Sequence, residues 1–254
     1  MDLGIADRRA AVAAGTAGLG LALGESLAEA GVHVAVCGRD TERLSTAVDS
    51  ISAVASGSHP VGITADVSSP EGAAAFVAAA AESLGGSIEI LVCNGGGPPP
   101  GRASETDIEA YRSALESNCL ASIAMCAGVV PAMREAQWGR ILGITSIGAR
   151  QPIGLLAAST VARAGLTAYL KMLAVELAPN GITVNNLQPG LHNTDRIKGL
   201  AGDQAEALLG SIPTGEFGKA SDFGAVGAFL CSEQAGFTTG VGMHIDGGAY
   251  HGLQ

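Results

Sequence analysis

From Arg8 to Gly248 short apolar runs alternate with longer, helix-compatible ones without a break, and this alternation is what most narrows the fold. Runs of strand length fall at Arg9–Ala14, Val32–Cys37, Val61–Val67, Ile88–Cys93, Arg140–Ser146, Ile182–Leu187 and Val241–Ile245. Between them lie helix-length segments at Leu19–Ala30, Thr41–Ala55, Pro70–Leu84, Ser104–Gln137, Leu156 to just before Pro179, and Ser221–Ser232. Gly31 ends the first helix, Asp40 or Thr41 caps the second, and Ser69-Pro70 opens the third with a cap and a first-turn proline. Strand–helix alternation demands a parallel sheet covered on both faces. Right-handed crossovers then give the doubly wound order 3-2-1-4-5-6-7. With no repeat, linker or composition shift, residues 1–254 are expected to form one α/β Rossmann domain with a seven-stranded parallel sheet.

Composition serves mainly to exclude partners. A formal net charge of -10 disfavours nucleic acid and anionic membrane surfaces, both of which attract basic proteins. No uninterrupted apolar run approaches the ~18 residues of a membrane span. The first residues, M-D-L-G-I-A-D-R-R, lack a signal peptide's apolar core, so a cytoplasmic location is expected. The five cysteines (37, 93, 119, 126 and 231) and five histidines show no metal-ligand spacing, so buried free thiols and no metal are expected.

Two loops carry cofactor chemistry in their residue types. Ala13-Ala14-Gly15-Thr16-Ala17-Gly18-Leu19-Gly20 joins a predicted strand to a predicted helix. Glycines there let the backbone approach a pyrophosphate, which the helix N-terminus attracts. The second strand ends Cys37-Gly38-Arg39-Asp40. An acidic side chain at that tip would hold the ribose diol of NAD, whereas an arginine pairs with the 2′-phosphate of NADP. Arg39 favours NADP(H); a solvated arginine at a helix start is the plain alternative, and Asp40 is also within reach of a ribose.

The segment Arg140–Pro179 places chemistry at the carboxyl edge of the sheet. Its strand ends in Ser146, a Gly/Pro-broken loop follows, and an Ala-rich helix then runs to Pro179, which cannot continue it. Ser159 and Arg163 are four apart and share one helix face. With Ser146, these spacings of 13 and then 4 resemble the short-chain dehydrogenase/reductase family, which uses an Asn, Ser, Tyr and Lys tetrad. Ser159 and Arg163 stand where the tyrosine and lysine belong. The chain is similar to a ketoacyl-reductase-like subgroup that also lacks that pair.

The resemblance implies further roles. Asn118, 28 residues before Ser146, matches the tetrad asparagine, which distorts its helix and holds a relay water. In the first loop Gly18 and Gly20 keep the family pattern, while Ala13 and Ala14 replace its threonine and first glycine. Asp66-Val67 matches the adenine-contacting pair, and Asn94-Gly95 the motif that supports the cofactor ribose. Pro189-Gly190, with Thr194, matches the turn that folds over the nicotinamide. Arg163 would bind the cofactor ribose and stabilise an oxyanion. The resemblance also implies a homotetramer or homodimer packed through the Leu156–Ala178 helix, whose Ala157, Ala158, Ala162, Ala164, Gly165 and Ala168 permit close approach.

The substitutions leave the chemistry open. A tyrosine phenol begins near pKa ~10 and is lowered by a neighbouring lysine, whereas a serine is a far weaker acid. Arginine stays charged and cannot relay its own proton. Tyr169 lies ten residues, ~15 Å, along the helix from Ser159 and is no substitute. Three readings stand. The first is an NADP(H)-dependent oxidoreductase of a small carbonyl or alcohol, its proton coming from His192, water on Asn118 or the substrate. The second is a non-redox enzyme in which Ser146, Ser159 and Arg163 stabilise an enolate or alkoxide. The third is a catalytically silent NADP-binding protein. His192 is expected to be a surface-loop residue by default. The small-molecule pocket is expected among Pro98–Arg102, Ile147–Leu155 and Leu191–Gly218, with a lid over 195–219.

Overall fold

The computed structural model describes residues 1–195 and 205–253. Seven parallel strands, β1 (Arg9–Val12), β2 (His33–Gly38), β3 (Val61–Thr64), β4 (Ile90–Cys93), β5 (Gly139–Ile144), β6 (Ile182–Pro189) and β7 (Gly242–Ile245), form one sheet in the order β3-β2-β1-β4-β5-β6-β7. This is the expected doubly wound order. Helices α1 (Gly18–Glu29), α2 (Thr41–Val54), α3 (Pro70–Ser83), α4 (Ile108–Leu115), α5 (Ala121–Ala136), α6 (Ala157–Leu177), α7 (Ala205–Gly210) and α8 (Ala220–Leu230) accompany the sheet, with short 3-10 turns at Ile147–Ala149 and Ala178–Asn180.

Two separate apolar layers follow from strands buried on both faces. One holds Leu91, Ile141 and Val184 against Phe76, Met125, Leu166 and Leu170, and so joins the sheet to α3, α5 and α6. The other holds Val12, Val36, Leu142 and Leu187 against Leu23, Ile51 and Phe223, joining it to α1, α2 and α8. All five cysteines are buried free thiols. At the amino edge of the sheet the Trp138 ring lies between the Arg8 and Arg140 guanidiniums, 3.9 and 4.3 Å from its centroid. Glu89 and Glu233 pair with this group.

Most segments match the sequence expectation to within a few residues, and the differences have local causes. The expected third strand stops at Thr64, so Asp66 and Val67 lie in the loop beyond it. The expected helix over 104–137 begins at Ile108 instead, because Asp107 caps it by accepting the Ala110 N–H at 2.8 Å. That helix is not uniform. A π-helical turn at Glu116–Leu120 divides α4 from α5 and contains Asn118. Taken together, 108–136 form 29 residues that contain an 18-residue window of mean hydropathy 1.4, enough by length and composition to cross a membrane. This corrects the expectation drawn from uninterrupted runs; here the stretch packs on α3, β4 and α6 as a core helix. Of the expected lid, 196–204 lie outside the described residues, and 205–210 form the short α7.

Candidate active site

The glycine loop shows why its residues are small. Ala14 adopts φ 46°, the left-handed region that suits glycine, and Gly18 adopts φ 57°. Gly15 does not take over this conformation from Ala14; it is small because a Cβ there would stand 2.9 Å from Val36 Cγ1. Asn94 at the end of β4 donates from Nδ2 to the Ala14 carbonyl at 3.2 Å. A Cβ on Gly20 would meet that same Nδ2 at 2.6 Å, so glycine at 20 makes room for the clasp. Asn94 thus holds the first and fourth strand ends together. Thr16 fills the space over Gly38, and Leu19 packs into the α1-side core.

The amino end of α1 is prepared for an anion. Its N-cap, Ala17, supplies no side-chain bond, whereas α2 and α3 are capped by Asp40 and Ser69. Uncapped N–H groups and the helix dipole attract a phosphate. Thr194, from the turn after β6, sits over this loop: a Cβ on Gly18 would lie 3.5 Å from its Cγ2. An uncapped helix end with small residues on one side and Thr194 on the other is a cradle that fits a phosphate. Pro189 and Gly190 lead into the same turn, with Gly190 N–H bonded to the Ile245 carbonyl at 2.9 Å.

At the adenine end, Arg39 and Asp66 are both exposed and lie 3.7 Å apart. Asp66 is held below the usual carboxylate range, first by hydrogen bonds from Ser68 and more weakly by Arg39. Val67 turns into the core beneath them. Asp40 is committed: its carboxylate accepts the Glu42 and Arg43 N–H groups at 3.0 Å each.

Within the altered tetrad, Ser159 and Arg163 are bonded to each other. Ser159 and Arg163 are each 7% exposed on α6. Arg163 Nε donates to Ser159 Oγ at 3.2 Å, and its Nη1 donates to the Ile144 and Thr145 carbonyls at 2.9 and 2.7 Å. Three of its N–H donors are thus turned onto Ser159 and the end of β5, so the ribose contact implied by the family is not the direction these donors take. Next along the chain, Ser146 Oγ accepts the Gly148 N–H at 3.0 Å. Asn118 is buried in the π turn, with Nδ2 donating to Ser117 Oγ at 2.9 Å. That turn packs against α6, where a Cβ on Gly165 would stand 3.6 Å from Cys119 Sγ.

His192 departs from expectation. Only 3% exposed, it is no surface residue: Nδ1 lies 3.3 Å from the Gly190 carbonyl and its ring meets Phe223 edge-on at 5.3 Å. Burial lowers its pKa below the ordinary histidine value, opposed by the Gly190 carbonyl. A carbonyl at Nδ1 requires that nitrogen to carry the proton, so Nε2 is an acceptor in the neutral ring. The three tyrosines are engaged elsewhere. Tyr111 donates to the Ala103 carbonyl, Tyr250 stacks on His244, and burial beside Cys126 and Cys93 pushes the Tyr169 phenol up. Among the described residues no three His, Cys, Asp or Glu side chains converge as a metal site.

Known proteins of this architecture share the whole chain. A family model described as enoyl-(acyl carrier protein) reductase matches residues 13–250. The dehydrogenase/reductase SDR family member 4 of Oryctolagus cuniculus is 34% identical over 248 residues, 96% of this chain and 94% of that protein. The chain belongs to the short-chain dehydrogenase/reductase family. The 3-oxoacyl-(acyl-carrier-protein) reductase FabG of Vibrio cholerae serotype O1 is 29% identical over 241 residues, 95% of this chain and 96% of that one. L-sorbose reductase from Gluconobacter frateurii, solved with NADPH and L-sorbose, superposes with TM-score 0.90 at 30% identity and covers 100% of both chains. The protein is accordingly an oxidoreductase of the short-chain type. Sequence reasoning overlooked Thr145, Thr167 and Asn186, which surround Arg163; two adjacent asparagines inside a buried strand, Asn185 and Asn186, were the available signal.

Proposed function

We propose that the protein is an NADP(H)-dependent reductase of a small carbonyl compound in which two serine hydroxyls, one of them polarised by arginine, replace the family's phenol as hydrogen-bond donors to the carbonyl oxygen. The observation that carries this is the direction of two hydrogen bonds. Arg163 Nε–H points at Ser159 Oγ, and Gly148 N–H points at Ser146 Oγ. With an N–H occupying a lone pair of each oxygen, both hydroxyl protons are left to donate to a third atom. A charged donor on Ser159 makes its O–H the stronger of the two.

Bound at the glycine loop, NADPH would supply a hydride. The chain's own residues would then hold the carbonyl oxygen between Ser146 and Ser159 as negative charge grows on it. Arg163 would stabilise that charge through Ser159 from a site shielded from water, where such interactions gain strength. Neither serine is acidic enough to surrender its proton as a phenol does, and His192 presents an acceptor, so protonation of the product is assigned to water held near Asn118. Electron-poor carbonyls, whose alkoxides demand least from an acid, are the favoured substrates. For the cofactor, Asp40 is engaged as a helix cap while Arg39 is exposed, which favours the 2′-phosphate.

The test is NADPH oxidation against a panel of electron-poor aldehydes and ketones. Ser159→Ala and Arg163→Ala should each lower turnover by about 100-fold, the scale of one oxyanion donor. Arg39→Ala should weaken NADPH binding and leave NADH binding unchanged. Turnover unaffected by either site change would overturn the assignment, and conversion of a substrate with no change in cofactor would select a non-redox enzyme.

A further inference from the structure

Arg163 is held by a closed ring of polar groups. Its Nη1 donates to the Thr145 carbonyl at 2.7 Å, and Thr145 Oγ1 donates to Asn186 Oδ1 at 2.9 Å. Asn186 Nδ2 in turn donates to Thr167 Oγ1 at 3.0 Å, and Thr167 Oγ1 donates to the Arg163 carbonyl at 2.8 Å. The path leaves Arg163 through its guanidinium and returns through its backbone, crossing β5, β6 and α6. Each donor meets an acceptor, so the amide of Asn186 has one satisfactory orientation.

We propose that Asn186 is the positioning residue of the active site: it sets the direction of the Arg163 guanidinium and so the polarisation of Ser159. The inference rests on the reading that Arg163 serves the reaction. Two observations beyond the distances support it. Asn186 and Thr145 are each 3% exposed, so loss of either partner leaves a buried polar group unsatisfied. Asn186 is the only bridge in the ring between β5 and α6 side chains, because Thr145 and Thr167 each bond to it. Its neighbour in register on β5 is Gly143, where a Cβ would stand 2.4 Å from Leu170 Cδ1, so glycine there makes room for Leu170 of α6. Arginine suits such a ring because its planar fork can meet several acceptors in fixed directions, which a lysine ammonium cannot.

The experiment reads Arg163 directly. Its side-chain Nε–H signal, assigned by its disappearance in Arg163→Lys, is followed by NMR for hydrogen exchange in the full chain. Exchange should quicken by about tenfold in Asn186→Ala and in Thr145→Val, the factor carried by one hydrogen bond of ordinary net strength. Thr145→Ser, which keeps the hydroxyl, should behave as the unaltered protein does. Ile51→Val, which trims the other core layer, controls for general destabilisation and should leave the signal unchanged. Unchanged exchange in both Asn186→Ala and Thr145→Val, or an equal effect of Ile51→Val, would overturn the proposal; if Asn186→Ala does not fold, the Thr145 pair decides it. With a carbonyl found in the panel, Asn186→Ala should lower kcat about tenfold while KM for NADPH changes little. If Arg163→Ala keeps full turnover although the ring variants free its Nε–H, the functional reading fails and the positioning role stands.

Discussion

Ala14 stores strain at the point where the family pattern has a glycine. Its φ of 46° places a Cβ-bearing residue in the left-handed region, at a cost of about 1–2 kcal/mol. Glycine relieves that cost but gives the unfolded chain more freedom, worth about 0.4–1 kcal/mol in the other direction. Ala14→Gly should therefore stabilise the protein by roughly 0.5–1 kcal/mol in urea unfolding, the net of these terms. A loss of stability would show that Ala14 is unstrained. At the same scale, Ser159 and Arg163 are one hydrogen-bonded unit, and under the proposed function they act together. Ser159 needs an N–H on its oxygen to become a better donor, and Arg163 supplies it from four residues along the helix.

The turn after β6 is the element most changed by folding. Asn193 N–H bonds to the Gly218 carbonyl at 2.9 Å and Gly218 N–H to the Leu191 carbonyl at 3.0 Å, which ties the turn to the segment before α8. His192 plugs the junction, so close to Gly218 that a Cβ there would meet its ring at 2.7 Å. Burial depresses the folded pKa of His192 below its ordinary value near 6.5. The unfolded chain therefore binds the extra proton first as pH falls. Stability from this group is complete above pH ~6.5 and is lost as pH drops below that, through the depressed folded value. Urea midpoints from pH 8 down to about 5 should show the decline, and His192→Asn should flatten it. An unaltered slope in the variant would place the titration elsewhere. If His192 acts only as this clamp, the variant's fall in turnover should follow its loss of stability; a larger fall would restore it as the proton source.

For the whole molecule, α6 has two sides with different tasks. Ala158 and Ala162 are buried against Ala114 and Tyr111 of α4, so these small residues serve packing inside the chain. Val161, Gly165, Ala168, Met172 and Val175 are exposed and recur at spacings of four and three, which forms one apolar stripe. Met172 is 72% and Val175 70% exposed. We propose that a second copy of this chain covers the stripe, because a seam with this spacing and a small centre suits a helix packed against its symmetry mate. Light scattering at micromolar concentration should give a dimer or tetramer. Met172→Asp with Val175→Asp should reduce it, while a monomer from the unaltered chain would refute the proposal.

Parallel order, the glycine loop and the spacing of Ser146, Ser159 and Arg163 were legible in the sequence because each depends on neighbours a few residues away. Apolar periodicity selects strand or helix, and the handedness of crossovers then orders the sheet. Asp107 and the π turn modified one long helix, since a cap and a buried asparagine act within single turns. Tertiary structure decided what the side chains do. The sequence left His192 in a loop until Phe223, 31 positions onward, closed over it. The sequence also placed Arg163 beside Ser159 on one helix face, whereas its bonds to the carbonyls ending β5 exist only once the sheet has folded. Asn186 reaches Thr145 across 41 residues of chain, and that meeting exists only once β5, β6 and α6 have packed. Local pattern determines backbone path because its interactions need no partner from afar; side-chain direction is set by acceptors that only the folded sheet brings within reach.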